Sequence, residues 1–344
     1  MDRSLNVWWS RCLHLRSSGT TVATASGALV VAERHSRLVR LDPRTGEQVW
    51  EQRVEDCFGT TVVTEDRCLY LSQAGVLHCF DIHNGQRMWS RPDLFLHHYV
   101  SVSGSVVLLG GWRGYRPLTR VDLTSGERLA GTFPWLSPHD SLAWPLPVRW
   151  GPEPGDVVDA VFLACASQAT LLLVDARTGV ARGEWSLPAP VSFPDSGAAY
   201  RVCADGRLVF LSGRRTVLAL HPAGGLETVW RHDRDLPSMP PILSGGTLWL
   251  AEKAGVTIVD LDRGARVEVT RLLPGAVSDA VPLSGGALLT RSRNHLVMVD
   301  RDGGFAVAAR LPGHVERLLP DGRGLLHAIG KGHLTTVDIS TMSG

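Results

Sequence analysis

Residues 39–46, VRLDPRTG, contain the phrase that decides the fold: apolar positions, an aspartate, three variable residues and a glycine. Seven related copies follow along the chain: HCFDIHNG (78–85), TRVDLTSG (119–126), LLVDARTG (172–179), LALHPAGG (218–225), TIVDLDRG (257–264), VMVDRDGG (297–304) and TTVDIS (335–340). Their aspartates, replaced once by His221, lie 39, 41, 53, 46, 39, 40 and 38 residues apart. A period of about forty residues that is built from short strands predicts a β-propeller.

Each copy predicts the end of a strand followed by a tight turn, which we call an anchor turn. The aspartate side chain can accept hydrogen bonds from backbone N–H groups two residues on. The glycine that ends the phrase supplies the positive φ that closes the hairpin. We expect a large aromatic ring after the hairpin to pack against the next blade in four repeats: Trp50, Trp89, Trp185 and Trp230.

The two ends of the chain predict how the sheets close. No fourth strand fits after Asp338, whereas NVWWSRCL (6–13) precedes the first repeat and resembles the outer-strand segment QVWEQRV (48–54). A closed ring leaves no free seam of unpaired strands. We therefore predict an all-β, eight-bladed β-propeller of four-stranded antiparallel blades in one domain, residues 1–344, whose last blade is completed by the N-terminal strand. Seven blades is the alternative.

The strand, the LDxxTG turn and the downstream tryptophan resemble the repeat of the PQQ-like, or quinoprotein-type, propellers. Bacterial alcohol dehydrogenases that bind pyrroloquinoline quinone share this repeat with the propeller lipoprotein of outer-membrane assembly. The resemblance implies the propeller architecture over nearly the whole chain, while the repeat itself carries no cofactor. The sequence has neither the adjacent cysteines nor the calcium-binding carboxylates usual in the dehydrogenases, so we expect no cofactor.

Composition narrows the classes of partner. The formal net charge is +1 and no apolar run is long enough to span a bilayer, so we expect neither nucleic acid nor membrane as a partner. Without a signal peptide or a lipidated cysteine, we expect a cytoplasmic monomer. The six scattered cysteines are interpreted as buried apolar residues, with a Cys68–Cys79 disulfide as the alternative.

Charge distinguishes the two faces of the predicted propeller. The anchor turns are acidic, whereas the turns between second and third strands, on the opposite face, are rich in cations. The cations are Arg34, Arg37, Arg113, Arg116, Arg214, Arg215, Lys253, Arg291, Arg293 and Lys331, and the acids among them are Glu33 and Glu252. Such an arrangement favours an anionic partner at this face, although solvated surface arginines are the simpler interpretation.

The longest interval between anchors marks a candidate site on the same face. Its excess falls mainly in residues 132–147, which hold Trp135, His139, Asp140 and Trp144. Long loops that bear aromatic and titratable residues often carry function. Neighbouring connections bring further residues to this rim: His97, His98, Tyr99, Trp112, Arg113, Tyr115, His232 and Asp233.

Two functions are compatible with this rim. A non-catalytic propeller would hold a protein partner or a small anionic ligand through His97, Trp112, Arg113, Tyr115, Trp135, Arg214, His232 and Arg291. Alternatively, a tailoring lyase, cyclase or hydrolase of a bacterial biosynthetic pathway would use His98 or His139 as general base with Asp140 as its orienting partner. A metal site is disfavoured because no HxH or HxxxH spacing occurs.

Overall fold

A computed structural model describes most of the chain. The described residues are 5–13, 22–33, 36–54, 60–94, 97–111, 118–131, 145–151, 157–165, 167–193, 199–203, 205–252, 255–270, 277–283, 286–291, 294–330 and 332–340. They contain 31 strands and no helix long and apolar enough to cross a bilayer.

The strands fall into eight antiparallel sheets, which are numbered below as blades in chain order. Blade one contains β2 (Val22–Ala25), β3 (Ala28–Glu33), β4 (Arg37–Leu41) and β5 (Gln48–Arg53), and blade two contains β6 (Thr60–Val63), β7 (Arg67–Leu71), β8 (Leu77–Asp81) and β9 (Arg87–Arg91). Blade three contains β10 (His97–Ser103), β11 (Val106–Gly111) and β12 (Thr119–Asp122). Blade four contains β13 (Leu146–Trp150), β14 (Val158–Ala164), β15 (Thr170–Asp175) and β16 (Ala181–Ser186).

Blades five to eight follow the same order. Blade five contains β17 (Tyr200–Val202), β18 (Leu208–Ser212), β19 (Thr216–Leu220) and β20 (Leu226–Arg231), and blade six contains β21 (Ile242–Ser244), β22 (Thr247–Glu252), β23 (Gly255–Asp260) and β24 (Ala265–Thr270). Blade seven contains β25 (Val277–Leu283), β26 (Gly286–Arg291), β27 (His295–Asp300) and β28 (Phe305–Arg310). Blade eight contains β29 (Val315–Pro320), β30 (Leu325–Gly330), β31 (His333–Asp338) and β1 (Asn6–Cys12).

The fold is the predicted eight-bladed β-propeller, and the N-terminal strand completes the last blade as expected. β1 pairs antiparallel with β31, from Asn6 opposite Asp338 to Cys12 opposite His333. Among the described residues, seven sheets have four strands and blade three has three, with a bridge between Val121 and Arg128 where a fourth strand would begin.

The chain divides into two compact units, residues 1–88 with 244–344 and residues 89–243. In both units the middle strands form the core: β3 and β30 in the first and β18 in the second are buried along their whole length. The outer strands β5 and β16 alternate between exposed and more buried positions. This pattern is expected where one strand edge and part of each face meet solvent.

The anchor turns form as predicted. The carboxylate of Asp42 accepts hydrogen bonds from the backbone N–H groups of Arg44 at 2.8 Å and Thr45 at 2.9 Å. The carboxylates of Asp81, Asp122, Asp175 and Asp260 accept the corresponding pair of bonds. The carboxylates of these turns are therefore bonded to their own backbone, which keeps them ionised while it occupies part of their hydrogen-bonding capacity.

Two of the predicted glycine positions are wrong by one residue. In LALHPAGG and VMVDRDGG the positive φ belongs to Gly224 (90°) and Gly303 (81°), not to Gly225 and Gly304. In both copies the hairpin is one residue shorter than in the first repeat. The N–H of His221 donates to Gly225 O and that of Asp300 donates to Gly304 O, in each case four residues ahead. The N–H of Asp42 donates to Glu47 O, five residues ahead.

Three of the four predicted tryptophans dock on the next anchor turn. The indole N–H of Trp50 donates to Ile82 O at 2.7 Å, that of Trp89 to Leu123 O at 3.0 Å and that of Trp185 to Gly224 O at 2.8 Å. Trp9 makes the same contact with Pro43 O at 3.0 Å. The indole of Trp230 instead faces its own blade, and its N–H lies 3.5 Å from His232 Nδ1.

An arginine replaces the docked ring between blades three and four. Arg120 is 2% exposed, and its guanidinium donates to the carbonyls of Arg177 and Ala130. A Cβ built on Gly179 would lie 3.0 Å from Arg120 Cζ, so the guanidinium covers this anchor glycine as Trp50 covers Gly85. Burial lowers the pKa of Arg120, and the charge of Asp175 opposes that shift.

The cysteines in the described residues are free thiols, so the alternative of a Cys68–Cys79 disulfide is wrong. Cys68 pairs across the hairpin with Phe80, and Cys79 pairs with Leu69. Burial raises the pKa of both thiols, that of Cys79 to about 12. Cys68, Cys79 and Cys165 are buried as predicted, whereas Cys12 is exposed and Cys57 lies outside the described residues.

Three anchor-turn aspartates make stability depend on pH. Hydrogen bonds hold their pKa below the usual 3.8: from the Asn84 backbone to Asp81, from the Ser125 backbone to Asp122 and from the Ser340 hydroxyl to Asp338. Because the folded state favours the ionised form, this stabilisation is present above pH 3.8 and is lost as the pH falls through the lower folded-state pKa.

We therefore expect the urea midpoint of the native chain to fall between about pH 5 and pH 2. In an Asp81→Asn/Asp122→Asn variant the fall should be smaller, because asparagine keeps the turn-forming acceptor without a titrating charge. Urea titrations at several pH values measure both. Equal losses in the two proteins would show that these carboxylates do not contribute.

Candidate functional site

The structure tests only part of the predicted rim. Seven of its residues lie outside the described residues: Trp112, Arg113, Tyr115, Trp135, His139, Asp140 and Trp144. For His97, His98 and Arg291 only the backbone is described. His97 and His98 begin β10, where the pairing with β11 shifts register, and Arg291 ends β26 opposite His295. The roles predicted for these residues stay predictions.

The structure brings Arg214 and His232 together in blade five. Arg214 lies in the turn between β18 and β19, and His232 follows β20. The backbone N–H of His232 donates to Arg215 O at 2.8 Å, and that of Leu236 donates to Arg214 O at 2.8 Å. The chain leaving blade five is thus fixed against the turn that carries the two arginines.

The same turn is braced on its other side by the chain entering blade five. The N–H of Gly213 donates to Pro190 O at 2.7 Å. The buried hydroxyl of Ser212 donates to Ala189 O at 2.7 Å and accepts from Ala189 N at 3.1 Å. Sites of recognition need such rigid support. Residues 213–215 form a braced platform rather than a loose loop.

The platform and the loop packed on it together carry more positive than negative charge. Arg215 Nε lies 2.7 Å from Asp235 Oδ1, and Arg234 Nε lies 3.6 Å from Asp233 Oδ1. Arg214 and Arg231 are exposed, and neither pairs with a carboxylate among the described residues. Exposed ion pairs contribute little to stability. The two arginines without carboxylates are therefore available to an external anion.

His232 lies beneath this surface instead of on it. Its side chain is fully buried, and Trp230 Nε1–H points at His232 Nδ1. Nδ1 accepts in this contact, which places the ring proton of a neutral imidazole on Nε2, the atom 3.5 Å from Asp233 Oδ1. His232 was predicted to bind a ligand, but in this conformation it supports the loop that carries Asp233 and Arg234.

Sequence reasoning missed the apolar part of the surface. Residues 237–240, PSMP, continue from the braced loop, and Pro237, Met239 and Pro240 are half-buried. Methionine and arginine are enriched in protein interfaces, and methionine adapts to differently shaped partners. The sequence signal that could have indicated this apolar contact is the pair of prolines around one methionine, directly after a loop rich in charge.

The charged and apolar residues of this region are together called the blade-five surface. Its members are Arg214, Arg215, Arg231, Asp233, Arg234, Asp235, Pro237, Met239 and Pro240.

The large pKa shifts in the described residues occur mainly in the core. Burial lowers the pKa of His327 to about 4 and raises that of Cys203 to about 11. His327 is fully buried in β30, where its Nδ1 lies 2.9 Å from Thr336 Oγ1. In the described part of the chain, no group of three or more His, Cys, Asp or Glu side chains is arranged to hold a metal ion.

A family model supports the resemblance of the repeat. The model described as outer membrane protein assembly factor BamB matches residues 4–132, which include the first three anchor turns. A comparison with curated protein sequences finds no significant match.

Solved structures resemble the whole chain. BamB from Moraxella catarrhalis has a TM-score of 0.72 at 15% identity, over 98% of each chain. Sqt1 from Saccharomyces cerevisiae has a TM-score of 0.70 at 8% identity, over 98% of this chain and 99% of its own. A quinohemoprotein alcohol dehydrogenase from Comamonas testosteroni has 0.62 at 11%, over 98% and 77%. At these identities the likeness shows the fold alone.

Proposed function

We propose that this chain is a non-catalytic propeller that binds an acidic segment of a partner protein on its blade-five surface. One observation carries the proposal: the turn that displays Arg214 and Arg215 is braced from both sides by backbone and Ser212 hydrogen bonds. A turn fixed in this way presents the Arg214 guanidinium, beside the ion pair of Arg215 with Asp235, from a backbone that loses little conformational entropy on binding.

The chemistry of the surface favours a protein over a small ion. Arginines bind carboxylates through paired hydrogen bonds, and Arg214 and Arg231 are exposed. The half-buried Pro237, Met239 and Pro240 offer an apolar contact that an ion would not use. The matching family description, an outer membrane protein assembly factor, names a protein that acts on other proteins and so supports a protein partner here.

A fluorescent twenty-residue peptide of alternating glutamate and leucine serves as the probe, with anisotropy as the readout. We expect saturable binding that weakens with salt. An Arg214→Glu/Arg231→Glu variant should bind at least about tenfold more weakly, because repulsion replaces attraction at both positions. Its melting temperature should match that of the native protein, since neither side chain contacts a carboxylate among the described residues.

Arg87→Glu is the matched control. Arg87 is exposed, has no carboxylate partner among the described residues and follows the anchor turn of blade two, away from blade five in the sequence. Its reversal should change affinity by less than about twofold. Equal weakening by Arg87→Glu would show that net charge governs the binding. Unchanged binding by the double variant would exclude the blade-five surface.

A further inference from the structure

A second candidate site is an open cavity between blades seven and eight. Its volume is about 590 Å³, and its described lining is Asn294, Pro312, Gly313 and His314. Asn294 precedes β27, and residues 312–314 connect β28 to β29. The volume falls within the range of about 300–1,000 Å³ that small-molecule sites occupy. This cavity belongs to the unit formed by residues 1–88 and 244–344, whereas the blade-five surface belongs to the other unit.

Backbone contacts hold the lining in place. The N–H of Leu311 donates to Asn294 O at 2.7 Å, which fixes the connection against the turn before β27. A Cβ built on Gly313 would lie 2.9 Å from Cδ2 of His333, so this ring packs directly on the glycine. His333 is itself fixed, because it begins β31 between Gly330 and Cys12.

The groups at and around the cavity are hydrogen-bond donors of the kind that bind anions. His314 is an exposed lining residue. Arg310 is not among the described lining residues, but it ends β28 two residues before Pro312, is exposed and makes no ion pair within the described residues. His295, beside Asn294, pairs across the strands with Arg310. The backbone N–H groups of Gly313 and His314 have no acceptor in the described part of the chain. Consecutive amides of this kind, together with arginine and histidine, are typical of phosphate sites.

None of the described lining residues is acidic. The acidic residue nearest to His314 along the chain is Glu316, the second residue of β29. The local balance therefore favours an anion.

We propose that this cavity binds a small phosphorylated molecule, with the phosphate held by Arg310, His314 and the amides of Gly313 and His314. A phosphate fits better than a single carboxylate, because its three terminal oxygens can accept from several donors and carry about two charges. The cavity is larger than a bare phosphate requires, so the remaining space accepts the organic part of the ligand.

The test uses glucose 6-phosphate and AMP as probes in isothermal titration calorimetry, with glucose and inorganic phosphate as comparisons. We expect at least one of the two phosphorylated probes to bind with a Kd below about 1 mM, the weak end of specific affinity. It should bind at least about tenfold more tightly than inorganic phosphate, and glucose should not bind. His314→Ala and Arg310→Ala should each weaken binding at least about tenfold.

His83→Ala is the matched control, because His83 is an exposed histidine in the anchor turn of blade two. It should leave phosphate-ester binding unchanged. No saturable binding of either probe, or binding that His314→Ala does not weaken, would overturn the proposal. Inorganic phosphate binding as tightly as the esters would also overturn it. The Arg214→Glu/Arg231→Glu variant should bind the ester normally, which separates this test from that of the acidic-peptide surface.

Discussion

Deletion of residues 1–12 is expected to remove most of the unfolding free energy of the chain. β1 supplies the outer strand of blade eight, and its loss would expose the edge of β31 along the register from His333 to Asp338. A domain of ordinary stability has about 5–15 kcal/mol in total. The loss of a complete strand from a closed propeller should therefore leave the protein largely unfolded at 37 °C or insoluble on expression.

The contacts of β1 reach beyond its own sheet. Trp9 covers the anchor turn of blade one, where its N–H donates to Pro43 O. The guanidinium of Arg11 lies 3.0 Å from the carboxylate of Glu33, whose side chain is 5% exposed. At the start of the strand, Leu5 N donates to Ala308 O of β28 at 2.7 Å. Deletion would thus leave a buried carboxylate with one fewer partner, which is costly in itself.

Differential scanning calorimetry, or solubility where the chain does not fold, measures the effect. A chain that lacks only residues 1–4 keeps β1 and is the control. It should melt within a few degrees of the full chain. A Trp9→Ala/Arg11→Ala variant keeps the strand pairing but loses the two side-chain contacts, so it should fold with an intermediate melting temperature. If the deleted chain melts like the full chain, β1 does not close the fold.

The strand order was predictable because it depends on short-range patterns. Each anchor turn places an aspartate carboxylate against the N–H groups two and three residues ahead, and those residues are adjacent in the sequence. The closing strand was predictable because NVWWSRCL (6–13) resembles the outer-strand segment QVWEQRV (48–54). The match of NVW with QVW points to Trp8, whereas a bulge after Val7 gives the position of Trp50 to Trp9. Local chemistry and repetition together fixed the number of blades.

Two anchor-glycine predictions and the docking prediction for Trp230 were wrong, although these residues looked equivalent to those of the first repeat. Gly225 and Gly304 looked equivalent to Gly46, but a hairpin shorter by one residue moved the positive φ to Gly224 and Gly303. Trp230 looked equivalent to Trp50, yet its indole faces His232 in its own blade. The pairing register does not account for this difference, because Trp230 opposes Val217 and Trp185 opposes Leu171, each four residues before the anchor position of its blade.

The candidate site was the least predictable part. Arg214 and His232 were expected to share a rim. Backbone hydrogen bonds join their segments, but the side chain of His232 is buried whereas Arg214 is exposed. Burial of an imidazole depends on how two loops pack, and neither loop has a periodic pattern. The hydrogen bonds that brace the turn join Ser212 to Ala189, which are more than twenty positions apart. No local motif could therefore have predicted them.

The second large effect is expected for Trp50→Ala, which should destabilise the protein by about 3–5 kcal/mol, as other buried aromatic truncations do. The Trp50 ring is 7% exposed and packs in one apolar cluster with Tyr70, Phe80 and Ile82. Its face lies on the anchor glycine of blade two, since a Cβ built on Gly85 would stand 2.9 Å from Trp50 Cδ2. Removing the ring therefore leaves a cavity between blades one and two.

Two companion variants separate packing from hydrogen bonding in urea denaturation. Trp50→Phe keeps most of the apolar volume but loses the N–H that donates to Ile82 O, so it should lose about 0.5–1.5 kcal/mol more than the reduced packing alone accounts for. The carbonyl of Ile82 keeps a donor in this variant, because Arg40 also donates to it at 2.9 Å. The loss of the hydrogen bond should therefore cost an amount near the lower end of that range.

Trp230→Ala is the matched control, since its half-buried ring bonds within its own blade. Its loss should be clearly smaller than that of Trp50→Ala. Equal losses for the two tryptophans would mean that docking on the next anchor turn adds nothing to ordinary burial.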